Sequence, residues 1–237
     1  MMDPQQKTSE VKGHFDRVAS RYDLMNTILS FGLHHLWKRR AVGLLGLKRG
    51  ELVIDICGGT GDLALLAARR VGPTGGVILY DLNRAMMLAG RAKLARAGLN
   101  DRVWLIEGDA EQLAAADRSL DAALVGFGVR NLGRMDEGLR EMHRVLKPGG
   151  RLVILEFSRP QNPLWRWLYD CYSFTVMPRL GQLVAGSREA YTYLITSIRQ
   201  FPRPEEVADL LRSAGFTQVT YHPLTNGIAM IHRAVKP

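Results

Sequence analysis

Only two cysteines, Cys57 and Cys171, occur among 237 residues, too few for a disulfide framework and without the spacing that grips a metal ion. No apolar run reaches the roughly 20 residues needed to cross a bilayer. The nearest approach, Leu164 to Val184, is interrupted by Arg166, Asp170 and Arg179. Six histidines are present, but no H-E-x-x-H pattern or carboxylate cluster accompanies them, so no metal is expected. A Pro/Ser-rich linker is absent, which points to a single core with a helical extension at its start. There is no aromatic-basic pattern of the kind that binds RNA, so no nucleic-acid partner is expected. The opening Met1 to Lys7 has no apolar signal core, and together with the free thiols this predicts a cytoplasmic chain.

Basic charge, in contrast, is in excess: 32 Lys and Arg against 23 Asp and Glu give a formal net charge of +9. Apart from small clusters at Lys38-Arg39-Arg40 and Lys48-Arg49 it is dispersed. Two readings stay open, a solvated basic face and attraction to an anionic membrane surface.

The most informative segment is Val53-Ile54-Asp55-Ile56-Cys57-Gly58-Gly59-Thr60-Gly61-Asp62. An apolar strand delivers an acid and a glycine-dense turn, and a helix begins at Leu63. Glycines let the backbone approach a ligand closely, and the helix start offers unpaired N–H groups. A second strand, Val77 to Tyr80, ends in Asp81, about 20 residues after Gly61, where an acid that binds ribose hydroxyls is expected. A nucleoside cofactor is therefore predicted. Read from Gly59 the turn satisfies G-x-G-x-x-A, the dinucleotide pattern of a nicotinamide oxidoreductase. Read from Asp55 it resembles D-x-G-x-G-x-G of the class I S-adenosylmethionine-dependent methyltransferases, with Cys57 as a small packing residue in place of the first glycine.

Strands and helices then alternate: Ala64 to Arg70 helix, Arg84 to Ala97 helix, Val103 to Glu107 strand, Ala122 to Val125 strand, Met135 to Leu146 helix and Arg151 to Glu156 strand. This predicts an α/β fold whose parallel sheet brings Asp55, Asp81, Asp109 and the 126–131 loop to one carboxyl edge. Upstream, helical spacing runs from Asp16 to Gly46 with a break at Ser30-Phe31-Gly32, and Asp23 is placed as a helix cap. Helical spacing returns at Arg188 to Arg199 and Pro204 to Ala214. Two last strands, Phe216 to His222 and Ile228 to Arg233, lie so close in sequence that they must pair antiparallel. A closing hairpin of this kind favours the methyl donor.

Three stretches narrow the reading: Tyr22-Asp23-Leu24-Met25-Asn26 with Ser30, His34 and Trp37; Gly126-Phe127-Gly128-Val129-Arg130-Asn131; and Arg144 to Arg151 running on to Glu156-Phe157-Ser158. They resemble the ubiquinone/menaquinone biosynthesis C-methyltransferase family over almost the whole chain. The resemblance implies a Rossmann-like class I methyltransferase fold, with a mostly parallel seven-stranded sheet, a C-terminal antiparallel hairpin and an N-terminal helical extension. Residues 1–46 would form that extension or lid. Residues 47–237 would form the methyltransferase domain, with a helical substrate-side insertion near 160–200.

The same resemblance implies that S-adenosylmethionine is bound by Thr60, Asp81, Asp109 and Ala110, with Asp55, Gly59 and Gly61 near its amino-acid end. Gly126 stands where the family often has serine, so only its backbone would contribute. The implied substrate is a lipid quinol, a reduced polyprenyl benzoquinol or naphthoquinol methylated on carbon. Arg130 is expected to stabilise the ionised ring oxygen, because guanidinium stays charged and donates in a fixed fork. A salt bridge to a loop carboxylate is the competing role. Asn131 is expected to orient a water or the ring oxygen, and Tyr22 to contact the ring. His34 and His35 are candidates for the general base, beside a water relay.

The aromatic stretch 164–177 would either line an entry for the isoprenoid tail at the membrane's inner face or pack as ordinary core. Assembly as a homodimer or within a quinone-synthesis complex is left open. A non-enzymatic subunit is disfavoured by retention of both the donor acids and the Gly-Phe-Gly-Val-Arg-Asn motif.

Overall fold

The computed structural model describes residues 4–237. Its strands are β1 (Leu52–Ile56), β2 (Gly76–Asp81), β3 (Val103–Glu107), β4 (Leu120–Gly126), β5 (Leu146–Phe157), β6 (Thr217–Leu224) and β7 (Ala229–Val235). They form one seven-stranded sheet in the order β3-β2-β1-β4-β5-β7-β6. All pairs are parallel except β5 with β7 and β6 with β7, so the closing hairpin is as expected.

Alternation along each strand sends side chains to two faces. On β1, Val53 joins a cluster with Ala41, Ala64 and Ala67, while Ile54 and Ile56 join another with Leu139, Met142 and Leu211. The first face is covered by α3 (Leu33–Leu45), α4 (Asp62–Val71) and α5 (Arg84–Arg96), the second by α6 (Met135–Val145) and α10 (Pro204–Ser213). Gly61, at φ +78, turns the chain from β1 into α4, and a Cβ there would meet Leu79 Cδ1 at 2.6 Å. Glycine is needed for the backbone conformation and for the close packing of helix on strand.

Residues α1 (Pro4–Val18), α2 (Tyr22–Leu29), α7 (Pro163–Cys171), α8 (Met177–Leu180) and α9 (Arg188–Gln200) lie outside these two layers. Val18, Met25 and Leu29 form a third cluster with Met177, Tyr191 and Ile195. The first helix begins twelve positions before the expected start at Asp16, at Pro4. Between α7 and α9 the backbone twice widens into π turns, at Tyr172–Val176 and Gly181–Ala185. Among the described residues no helix is long and apolar enough to cross a membrane.

Candidate active site

Two cavities open at the carboxyl edge of the sheet. The smaller is lined by Tyr22, Gly59, Asp81, Asp109, Ala110, Gly126 and Asn131, seven of the expected site residues. Asp81 ends β2, and its Oδ2 accepts the Gly59 N–H at 2.8 Å while Oδ1 accepts that of Asn83 at 2.7 Å. Burial pushes its pKa up, and these two N–H groups oppose the push. Each carboxylate oxygen keeps a second acceptor site, which suits a vicinal diol. Asp109 Oδ1 accepts the Glu111 N–H at 2.9 Å, bending the loop after β3 around the cavity. At Gly126 an added Cβ would lie 2.5 Å from Leu63 Cδ1. Serine at this position would require the end of the Leu63 side chain to shift.

Three expected donor-binding residues do not line either cavity: Asp55, Thr60 and Gly61. Asp55 lies fully buried behind the turn, where Oδ2 accepts the Ala64 N–H at 2.8 Å and anchors the start of α4. Its Oδ1 has no partner among the described residues, and burial raises its pKa to about 7. Thr60 turns toward the N-terminal helices, donating to Asp23 Oδ1 at 2.6 Å. Asp23 thus makes no cap for α2, contrary to expectation. It also takes Lys93 Nζ at 2.9 Å, and Lys93 in turn bonds Asp62, whose other oxygen holds Lys38 Nζ at 2.7 Å. Against the upward push of burial, the two lysines hold Asp62 well below the usual carboxylate range.

The larger cavity, about 260 Å³, has an apolar wall that includes Leu29, Leu33, Trp37, Phe157 and Leu194. Phe15, Tyr22 and Phe127 line both cavities and so mark their junction. Phe127 is held there at φ +59, its N–H donating to Leu155 O at 2.7 Å. Arg130 reaches the larger cavity, but the salt-bridge alternative is realised: Nη1 bonds Glu156 Oε1 at 2.8 Å and also the carbonyl of Phe127. The partner is a strand carboxylate and not a loop one. Its guanidinium lies 5.4 Å from the centre of the Phe157 ring.

Sequence reasoning missed Tyr193, whose hydroxyl donates to Asn131 Oδ1 at 3.1 Å and whose ring stacks on His14 at 5.2 Å. It also missed Asn83, which caps α5 through Met86 N–H at 2.9 Å and reaches Asp16 Oδ1 of α1 at 2.9 Å. The Asn-x-x-Met spacing after Asp81 is a cap signal that was available.

The aromatic stretch divides. Tyr169, Tyr172 and Met177 line the larger cavity, Trp165 and Leu168 line it while also exposed to solvent, and Leu164, Trp167 and Phe174 are exposed away from it. No residue of α7 is buried, so ordinary core packing does not describe it. His34, His35 and Asp62 place potential ligand atoms within 4.8 Å of one another. Both Asp62 oxygens are already held by ammonium groups, which disfavours a cation there.

Residues 2–236 match the model of the ubiE/COQ5 methyltransferase family. The chain is 47% identical over 232 residues to the ubiquinone/menaquinone biosynthesis C-methyltransferase UbiE of Pseudomonas putida (strain GB-1), covering 98% of this chain and 91% of that one. Among solved structures, the [4+2]-cyclase SpnF aligns with a TM-score of 0.71 at 18% identity, over 99% of this chain and 96% of that one. A SAM-dependent methyltransferase from Aquifex aeolicus aligns with a TM-score of 0.61 at 20% identity, over 84% and 89%. At such identities these two likenesses speak to the fold.

Proposed function

The chain belongs to the ubiE/COQ5 methyltransferase family, and we propose that it methylates a ring carbon of a reduced polyprenyl quinone precursor, demethylmenaquinol first and a ubiquinone-pathway methoxybenzoquinol second. The observation that carries this reading is the meeting of an acid-lined cavity with an apolar one at Phe15, Tyr22 and Phe127. The first suits a nucleoside, the second a lipid quinol. S-adenosylmethionine supplies a methyl group on a positively charged sulfur. Asp81 would hold its ribose hydroxyls, and Asp109 and Ala110 would frame its adenine. Gly59 and Gly126 would let the backbone approach, while Asp55, Thr60 and Gly61 support the turn from behind.

On the substrate side Tyr22 would lie against the ring at the junction. Asn131, held by Tyr193, would orient a ring oxygen or a water. The Arg130 guanidinium, balanced by Glu156, would favour an oxygen that gains negative charge. The helices α1 and α2 with the helical insertion near 160–200 would cover the site. Leu164, Trp167 and Phe174 face outward on that cover, and with the +9 charge they fit transient contact with the inner face of an anionic membrane. Calorimetric titration should show binding of S-adenosylhomocysteine and none of NADH. Binding to anionic vesicles should weaken at 1 M salt, where screening shortens to about 3 Å. NADH binding in place of S-adenosylhomocysteine would refute the donor assignment, and equal attachment to neutral vesicles would refute the electrostatic part.

A further inference from the structure

Two imidazoles line the larger cavity, His14, whose Nδ1 already accepts from the Arg17 guanidinium at 2.8 Å, and His34. His34, near the start of α3, is 2% exposed and lines this cavity. Its Nε2 lies 3.1 Å from Thr27 Oγ1, and that hydroxyl spends its single proton on the Asp23 carbonyl at 2.9 Å. A hydroxyl that already donates its proton can only accept from the imidazole. With the Thr27 proton on Asp23, the imidazole donates from Nε2 and Nδ1 is left as a lone-pair acceptor; His35 Nε2 lies farther from the same hydroxyl, at 3.4 Å. That Nδ1 is buried and has no hydrogen-bond partner among the described residues. A buried acceptor left unmade is destabilising, so its place beside a ligand cavity calls for a donor from outside the chain.

We propose that His34 Nδ1 accepts the ring-hydroxyl proton of the quinol, with Thr27 as the positioning residue that holds the acceptor tautomer. The inference rests on the larger cavity being the quinol site. As the ring carbon forms its bond to the methyl group, the S–CH3 bond breaks and leaves its electron pair on sulfur. The O–H bond breaks in the same step: its proton passes to Nδ1, and its electrons become the C=O bond that feeds the carbon. The methylated carbon then loses its own hydrogen as a proton to solvent, the oxygen regains a proton from His34, and aromaticity returns. One proton is released overall.

The charges around the ring suit this role. Burial, then Lys38 and His35, lower the His34 pKa to about 4, against Asp62 and Asp23, and Lys93 bridges these two acids. The imidazole is then neutral at physiological pH and able to accept. So weak a base does not ionise a resting phenol, but the hydroxyl becomes strongly acidic while its ring takes on positive charge, and the transfer is then downhill.

The test uses the full chain carrying 15N-labelled histidine, with naphthalene-1,4-diol under reductant as the probe. The wild type should show His34 as the Nε2–H tautomer, and the Nδ1 resonance should move upfield as the diol binds. His34→Gln, which retains a donor toward Thr27, should lower kcat about 100-fold or more while affinity for S-adenosylhomocysteine stays unchanged. Thr27→Val should lower kcat with KM unchanged and release the tautomer. An Nδ1–H tautomer, an Nδ1 resonance indifferent to the diol, or wild-type turnover by His34→Gln would overturn the inference. If the wild type bound the diol yet methylated no reduced quinol, the reading of function would fail, and the resonance would still decide the role of His34.

Discussion

Arg130 Nη1 sits 2.8 Å from Glu156 Oε1, and the two side chains are only 4% and 1% exposed. The pair also carries the loop after β4, because the Arg130 N–H reaches Glu156 Oε2 at 3.2 Å and Nη1 holds the Phe127 carbonyl. Removing one charge strands the other, at a cost of about 3–5 kcal/mol. Glu156→Gln should therefore lower Tm by roughly 10 °C, at about 2–4 °C per kcal/mol for a chain of this size. Arg130→Lys keeps the charge and loses the fork, so it should retain donor affinity while kcat falls. Normal turnover by Arg130→Lys would remove Arg130 from the reaction and leave it a purely structural role.

Asp81→Ala should weaken S-adenosylhomocysteine binding by about 1.5–3 kcal/mol, the worth of hydrogen bonds to a charged acceptor. Calorimetry checks it, and unchanged affinity would remove Asp81 from the donor site.

The Thr60 to Asp23 bond ties the glycine turn to α2 at 2.6 Å. A double-mutant cycle with Thr60→Val and Asp23→Ala, read by denaturation, should show coupling of about 1 kcal/mol or more. Strict additivity would mean that the turn and α2 are held independently.

Asp55 gives a pH signature. Its folded pKa, about 7, lies above the ordinary 3.8, so between these values the folded state binds the extra proton. Its contribution to stability is lost as pH rises through that window and is flat above it. Asp55→Asn keeps an acceptor for the Ala64 N–H without the buried charge. It should exceed wild type in stability by on the order of 3 kcal/mol at pH 8 and by little near pH 4. Urea titrations at both pH values decide it; an equal difference at the two would show that the carboxyl does not titrate there.

The first three strands were legible because each is a short apolar run with an acid at or beside its end, and parallel register then sets their ends level. Ile56 pairs with Tyr80 and Val125, which brings Asp81 and Gly126 to the edge where Gly59 waits. Donor-site residues on strand ends and the loops just after them could be read this way. The direction of Thr60 could not, because its partner Asp23 is 37 positions away. Nor could Tyr193 on Asn131, separated by 62 positions, or Glu156 under Arg130, separated by 26. These are tertiary choices among many acids and hydroxyls of equal local propensity. The π turns escaped for a different reason: the apolar spacing of 164–184 fits an ordinary helix, and i to i+5 bonding leaves no mark in composition. The spacing also gave no sign that α7 would leave Leu164, Trp165, Trp167 and Leu168 all exposed, with only Trp165 and Leu168 of these four reaching the cavity.

The central claim is methyl transfer to carbon on a reduced quinol. Incubation with methyl-labelled S-adenosylmethionine and demethylmenaquinone, with and without reductant, followed by product analysis, tests it most directly. Label should appear on the ring carbon and require reductant, because the oxidised quinone has no hydroxyl to supply electron density. Equal labelling of the oxidised quinone, or label on oxygen, would contradict the account.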